Sequence, residues 1–112
     1  MITANEDFFF TPSLLDEVAI PAEGMKTQIL RNDDHSKVIL FAFAAGHELK
    51  AHSAPAPVSL HFLRGEGVLT VGEKSFPVTA GSFAAIAPSV THAVQAESSL
   101  VMLLVIAKKP PP

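Results

Sequence analysis

Apolar residues in this chain recur with a period near two, in short runs broken by turn-forming residues, from about residue 25 to residue 107. Successive side chains of an extended chain point to opposite faces, so this pattern describes strands with one buried face. It predicts strands at Met25–Arg31, Ser36–Ala44, Glu48–His52, Val58–Leu63, Gly67–Val71, Lys74–Val78, Ser82–Ile86, Thr91–Gln95 and Leu100–Ala107. Their separators are Asn32-Asp33-Asp34, Ala45-Gly46, Arg64-Gly65-Glu66, Gly72-Glu73, Ala80-Gly81 and Pro88-Ser89. Asn, Asp and Gly tolerate positive φ and Pro lacks a ladder donor, so each interrupts a sheet for a physical reason.

Nine short strands without an amphipathic helix make an all-β sandwich or barrel, not an α/β fold. Only Ser13 to Val18 suits a turn of helix, with Ser13 as N-cap and Asp16 at the third position. A length of 112 residues fits one domain, spanning the whole chain, and 48% hydrophobic residues suffice for a core without disulfides. Residues 1–24 read as an N-terminal arm and 108–112 as a Pro-rich tail that ends as a frayed segment. Within the arm, Phe8-Phe9-Phe10 cannot all face one side of a strand. Two readings follow: the arm covers part of its own barrel, or it forms a contact in a homodimer.

Several function classes are disfavoured. There is no cysteine, so thiolate zinc sites and Cys nucleophiles are excluded. The net charge of −3 and eight scattered Lys and Arg form no basic patch for nucleic acid or a membrane surface. The longest apolar run, Leu100 to Ala107, has eight residues, against about 20 for a spanning helix. A polar, acidic start does not resemble a signal peptide, so a cytoplasmic location is expected. Gly65-Glu66-Gly67 lies between strands and not before a helix, so it reads as a turn and not as a dinucleotide fingerprint. Without Trp or Tyr, any strong near-ultraviolet band would belong to a bound group.

The remaining chemical resource is five histidines: His35, His47, His52, His61 and His92. His35 follows Asn32-Asp33-Asp34 and reads as a solvated loop residue; His47, beside Gly46, reads as a rim residue. The others lie in two blocks, Gly46 to Gly67 and Gly81 to Val94, which together resemble the cupin family. The resemblance runs from about Gly46 to Ala96. Gly46, His52 and Gly65 match the first cupin motif, while Ala54 stands at its second His and Val58 at its Glu. Gly81 and His92 match the second motif; there Ser89 replaces a Gly, Ala87 takes the Pro position with Pro88 one residue later, and Ala96 replaces the Asn.

The resemblance implies a small single-domain, RmlC-like cupin: a double-stranded β-helix or jelly-roll barrel with its working surface inside. It also implies that only His52 and His92 remain of four metal-ligand positions. Two imidazoles fall short of the three protein ligands typical of catalytic zinc or of a two-His-one-carboxylate iron centre. Glu48 shares strand parity with His52 but lies about 13 Å along an extended chain, beyond a common ion unless the chain bends. His61 reaches the pocket only if a bulge near Pro55 and Pro57 shifts the register, because Val58, Leu60 and Phe62 share the opposite face. The candidate metal ligands are therefore His52, His92 and His61, and the candidate pocket adds Val58, Leu60, Val94 and Met102. The cofactor is left open, a single divalent transition metal being the candidate.

Three functions compete. The first is a barrel binding a small, partly apolar molecule with a reduced or absent metal site. The second is a metal-dependent enzyme of dioxygenase or isomerase type, using His52, His92 and an additional ligand. The third is a dimerisation module, with His52 and His92 as satisfied interior polar groups. Fold resemblance alone does not choose among them.

Overall fold

A computed structural model describes residues 1–108. The predicted strands all form, as β3 (Met25–Asn32), β4 (Ser36–Phe43), β5 (Glu48–His52), β6 (Val58–Arg64), β7 (Glu66–Val71), β8 (Lys74–Thr79), β9 (Phe83–Ile86), β10 (His92–Ala96) and β11 (Leu100–Ala107). A hairpin of β1 (Thr3–Ala4) and β2 (Phe9–Phe10) precedes them. Two-residue strands are too short to show a period, so the alternation gave no sign of this hairpin.

The strands build two antiparallel sheets, in the orders β5-β10-β7-β8 and β3-β4-β11-β6-β9. Most strands adjacent in sequence, such as β6 and β7, fall in different sheets, as in a jelly roll, while β3–β4 and β7–β8 are hairpins within one sheet. The inward faces carry the alternating apolar residues: Phe41 and Phe43 from β4, Val58, Leu60 and Phe62 from β6, Val94 from β10, and Leu100, Met102 and Leu104 from β11. Leu40, Ala42 and Val101 form a second apolar layer on the other face of the larger sheet, packed by Val18 and Ile20 of the arm. The arm therefore covers its own sheet through these two residues. Phe8 and Phe10 remain exposed.

Ser13 to Val18 contains the expected turn, a 3-10 helix at Leu14–Glu17. Ser13 is extended as an N-cap should be, but its hydroxyl makes no cap bond. Its own carbonyl already accepts the Asp16 amide at 3.2 Å, the donor such a hydroxyl would have served.

The β3–β4 turn is organised by Asp33. One oxygen accepts the amides of His35 (2.8 Å) and Ser36 (3.0 Å), and the other accepts Arg31 Nε at 2.8 Å. The Arg31 hydrogen bond first, then the two amides, hold this carboxyl well below the usual carboxylate range. A depressed acid pKa adds stability above the unfolded value and loses it progressively as pH falls from that value through the folded one, so this turn weakens in acid. Arg31 also donates to the carbonyls of Asn5 and Glu6, fastening the arm to the turn. The start of the tail is held there as well: Lys108 Nζ donates to Asn32 Oδ1 and to the Asp33 carbonyl, both at 2.6 Å. The remainder of the tail that was expected to fray, residues 109–112, lies outside the described residues.

Candidate functional site

The two motif histidines meet. On β10, His92, Val94 and Ala96 share the inward face, and His92 is only 2% exposed. On β5, His52 is paired directly with His92 in the ladder, and the ring centroids stand 4.4 Å apart at 59°. His52 is exposed, so it forms the solvent side of a pair whose inner member is buried.

Each ring is oriented by a carbonyl two residues earlier in the chain. His52 Nδ1 lies 2.9 Å from the Lys50 carbonyl, and His92 Nδ1 lies 3.1 Å from the Val90 carbonyl. A carbonyl only accepts, so Nδ1 is the donor in both rings, and in the neutral imidazole the lone pair sits on Nε2. Among the described residues His92 Nε2 is a buried side-chain atom with no partner. Leaving such an acceptor unsatisfied costs about 1–3 kcal/mol.

The loop before β10 carries a second local cost. Ser89 has φ +67°, alone among the non-glycine residues described, and it stands where the cupin motif has Gly. Its amide donates to the Ala54 carbonyl at 2.7 Å, tying this loop to the residue that occupies the motif's second His position. Strained backbone of this kind persists where surrounding structure fixes it, and it is frequent beside ligand sites.

Other expectations need correction. His61 does not join the pair: it is exposed, opposite Leu103 and Phe83 in the ladder, with its ring edge-on to Phe83 at 5.9 Å. No bulge follows Pro55 and Pro57 to turn it inward, and Val58, Leu60 and Phe62 hold the inner face. A bulge occurs instead in β5, where the ladder runs from His52↔His92 to Leu49↔Val94 and Glu48↔Gln95. The extra residue breaks the expected parity, so Leu49 packs on the core while Glu48 is exposed. Val58, Leu60, Val94 and Met102 are packed core and not an open lining, each at most 4% exposed. His47 is half-buried against Phe43, with centroids 6.2 Å apart, and His35 is exposed in the Asp33 turn.

Open space lies elsewhere, in an apolar cleft of about 520 Å³ between the edge strands β8 and β9. Leu69, Val71, Phe76, Val78, Phe83 and Ile86 line it. Phe76 and Phe83 are exposed at its rim, at 47% and 63%. The sequence held one signal for this opening: Pro77 inside β8 marks that strand as an edge.

A family model described as the cupin domain matches residues 39–106, well over half the chain. The chain is a cupin. No curated protein matches it, but solved structures share its fold. A conserved protein of unknown function from Streptococcus pyogenes is 24% identical, with a TM-score of 0.83 over 91% of this chain and 90% of that one. A cupin superfamily protein from Desulfitobacterium hafniense is 18% identical, with a TM-score of 0.81 over 86% and 88%. An RmlC-like cupin from Desulfovibrio desulfuricans is 26% identical, with a TM-score of 0.78 over 88% and 95%.

Whether this cupin's side chains suit a resident metal follows from the donor set. Among the described residues no three His, Asp or Glu side chains come together around one point. Ala54 and Val58 offer no donor, Glu48 faces away and His61 is on the outer face. The pair does not fit a metal centre built on three protein ligands.

Proposed function

We propose that this cupin binds a small, partly apolar organic molecule at the His52–His92 pair, with the two Nε2 lone pairs as acceptors and without a resident metal. The observation that carries the reading is the buried, unpartnered Nε2 of His92, which a hydrogen-bond donor on a ligand would satisfy. The cleft between β8 and β9 offers room for the apolar part, within the size range of small-molecule sites.

A second reading, a metal-dependent enzyme of dioxygenase or isomerase type, is favoured by one feature. Both rings give Nδ1–H to a carbonyl, which is how metal-binding histidines are oriented. Metal analysis of protein purified without chelator separates the two. Our reading expects far less than one transition ion per chain, unchanged in His52→Ala. A stoichiometric ion that disappears in His52→Ala or His92→Ala would replace it with the second.

We also propose a cytoplasmic homodimer. Exposed Phe8 and Phe10 support the assembly, since large apolar side chains in solvent mark contact surfaces. Sedimentation should give a dimer mass for the native protein and a monomer mass for Phe8→Ser/Phe10→Ser. An unchanged mass would remove the arm from the interface.

A further inference from the structure

The ladder that pairs the histidines continues across the sheet. His52 on β5 is opposite His92 on β10, His92 is opposite Val71 on β7, and Val71 is opposite Lys74 on β8. Directly opposed residues in an antiparallel ladder point to the same face. The next pair confirms the sense, because Thr70 and Ser75 meet on the outer face through their hydroxyls at 2.9 Å. His92 faces inward, so Val71 and Lys74 do too.

This row sets two acceptors and a cation on one face of the smaller sheet, running from exposed His52 past buried His92 to exposed Lys74 at the start of β8. Lys74 lies two strand spacings from His92, about 9.6 Å between backbones, a gap that a four-carbon side chain and a small ligand bridge together. Among the described residues the only ion pair is Arg31–Asp33, so Lys74 takes no carboxylate partner there. Val71 stands between His92 and Lys74 and also lines the apolar cleft, which joins the cleft to the row. The other charged side chains close in sequence are Glu73, in the β7–β8 turn, and Lys50, in the β5 bulge.

We propose that Lys74 is a specificity-determining residue, and that the ligand is a small organic acid carrying a hydroxyl or amine donor. This rests on the pocket reading above. The donor satisfies His92 Nε2, the acidic group pairs with the Lys74 ammonium, and the apolar body lies against Val71, Leu69 and Phe76. A ligand bearing only a carboxylate is disfavoured, because it would set its oxygens against the imidazole lone pairs.

Calorimetry with two probes tests this: para-hydroxyphenylacetate, with donor and acid, and para-cresol, with the donor alone. The native protein should bind the hydroxy acid about tenfold more tightly at low salt, an advantage that shrinks as salt rises. Lys74→Met keeps the apolar stem and should remove the advantage without altering para-cresol binding; Lys74→Arg should retain it. Equal affinity of the native protein for both probes, or an unchanged hydroxy-acid affinity in Lys74→Met, overturns the role of Lys74 while leaving the histidine pocket standing. Failure of both probes to bind at about 10 mM overturns the pocket and the role of Lys74 together.

Discussion

Gly65→Ala is expected to remove more than about 3 kcal/mol of stability, near the upper end for a single substitution. Gly65 sits where the chain leaves β6 in one sheet and enters β7 in the other, so it forms a corner of the barrel. Its φ is +88°, a region where a Cβ alone costs about 1–2 kcal/mol. The added Cβ would also be driven into the Ser99 carbonyl oxygen, and would lie 2.8 Å from Leu100 Cα and 2.9 Å from the Ser99 carbonyl carbon. All three are backbone atoms at the entry to β11, so no side-chain rotation relieves the contact. Gly72→Ala is the matched control. Its φ is +60° with nothing within 4 Å of an added Cβ, so only the conformational cost applies. Denaturant midpoints of the two variants should differ widely; equal midpoints would mean that the β6–β7 corner does not lie against β11 as described.

The second large effect is functional. His92→Phe should lower the affinity for a donor-bearing ligand more than tenfold, while stability stays unchanged or rises by up to about 2 kcal/mol. Phenylalanine fills the ring's place in the core but carries no lone pair. The bond to the Val90 carbonyl is lost, yet so is the buried acceptor without a partner. The two terms are of similar size, about 1 kcal/mol for the bond and about 1–3 for the orphaned atom. A fall in stability beyond about 2 kcal/mol would instead show that Nε2 is satisfied within the native protein. Activity or binding lost only through unfolding would be recognised by that same measurement.

Much of this architecture was legible in the residues. Period-two patterning and turn-bounded apolar runs between Met25 and Ala107 located all the main strands; β4 and β11 are apolar on both faces because the arm's Val18 and Ile20 cover the outer one. The spacing of Gly46, Gly65 and Gly81 around His52 and His92 pointed to the cupin family, and the two histidines are indeed opposed. Parity argued against His61, but it stayed among the candidate ligands on the chance of a bulge after Pro55 and Pro57 that β6 does not form, and it lies on the outer face.

What escaped the sequence depends on local register. The β5 bulge falls at Lys50-Ala51, residues with no glycine or proline to mark it, and it reverses the faces of Leu49 and Glu48. Residues that look like a pocket lining, such as Leu60 and Met102, are indistinguishable by type from core, and packing decided between the two. The row that ends on Lys74 exists only once three strand pairings are known, because its members are spread from residue 52 to residue 92.

The central claim is that His52 and His92 present Nε2 lone pairs to a ligand and not to a resident ion. Long-range proton–nitrogen correlation spectra of the imidazole rings test it most directly. At a pH where the rings are neutral, both should show the proton on Nδ1, and the His92 Nε2 signal should move when para-hydroxyphenylacetate is added, while those of His35 and His61 stay in place. Nε2 signals that ignore the probe but move on addition of a chelator would contradict the account and place a metal at the pair.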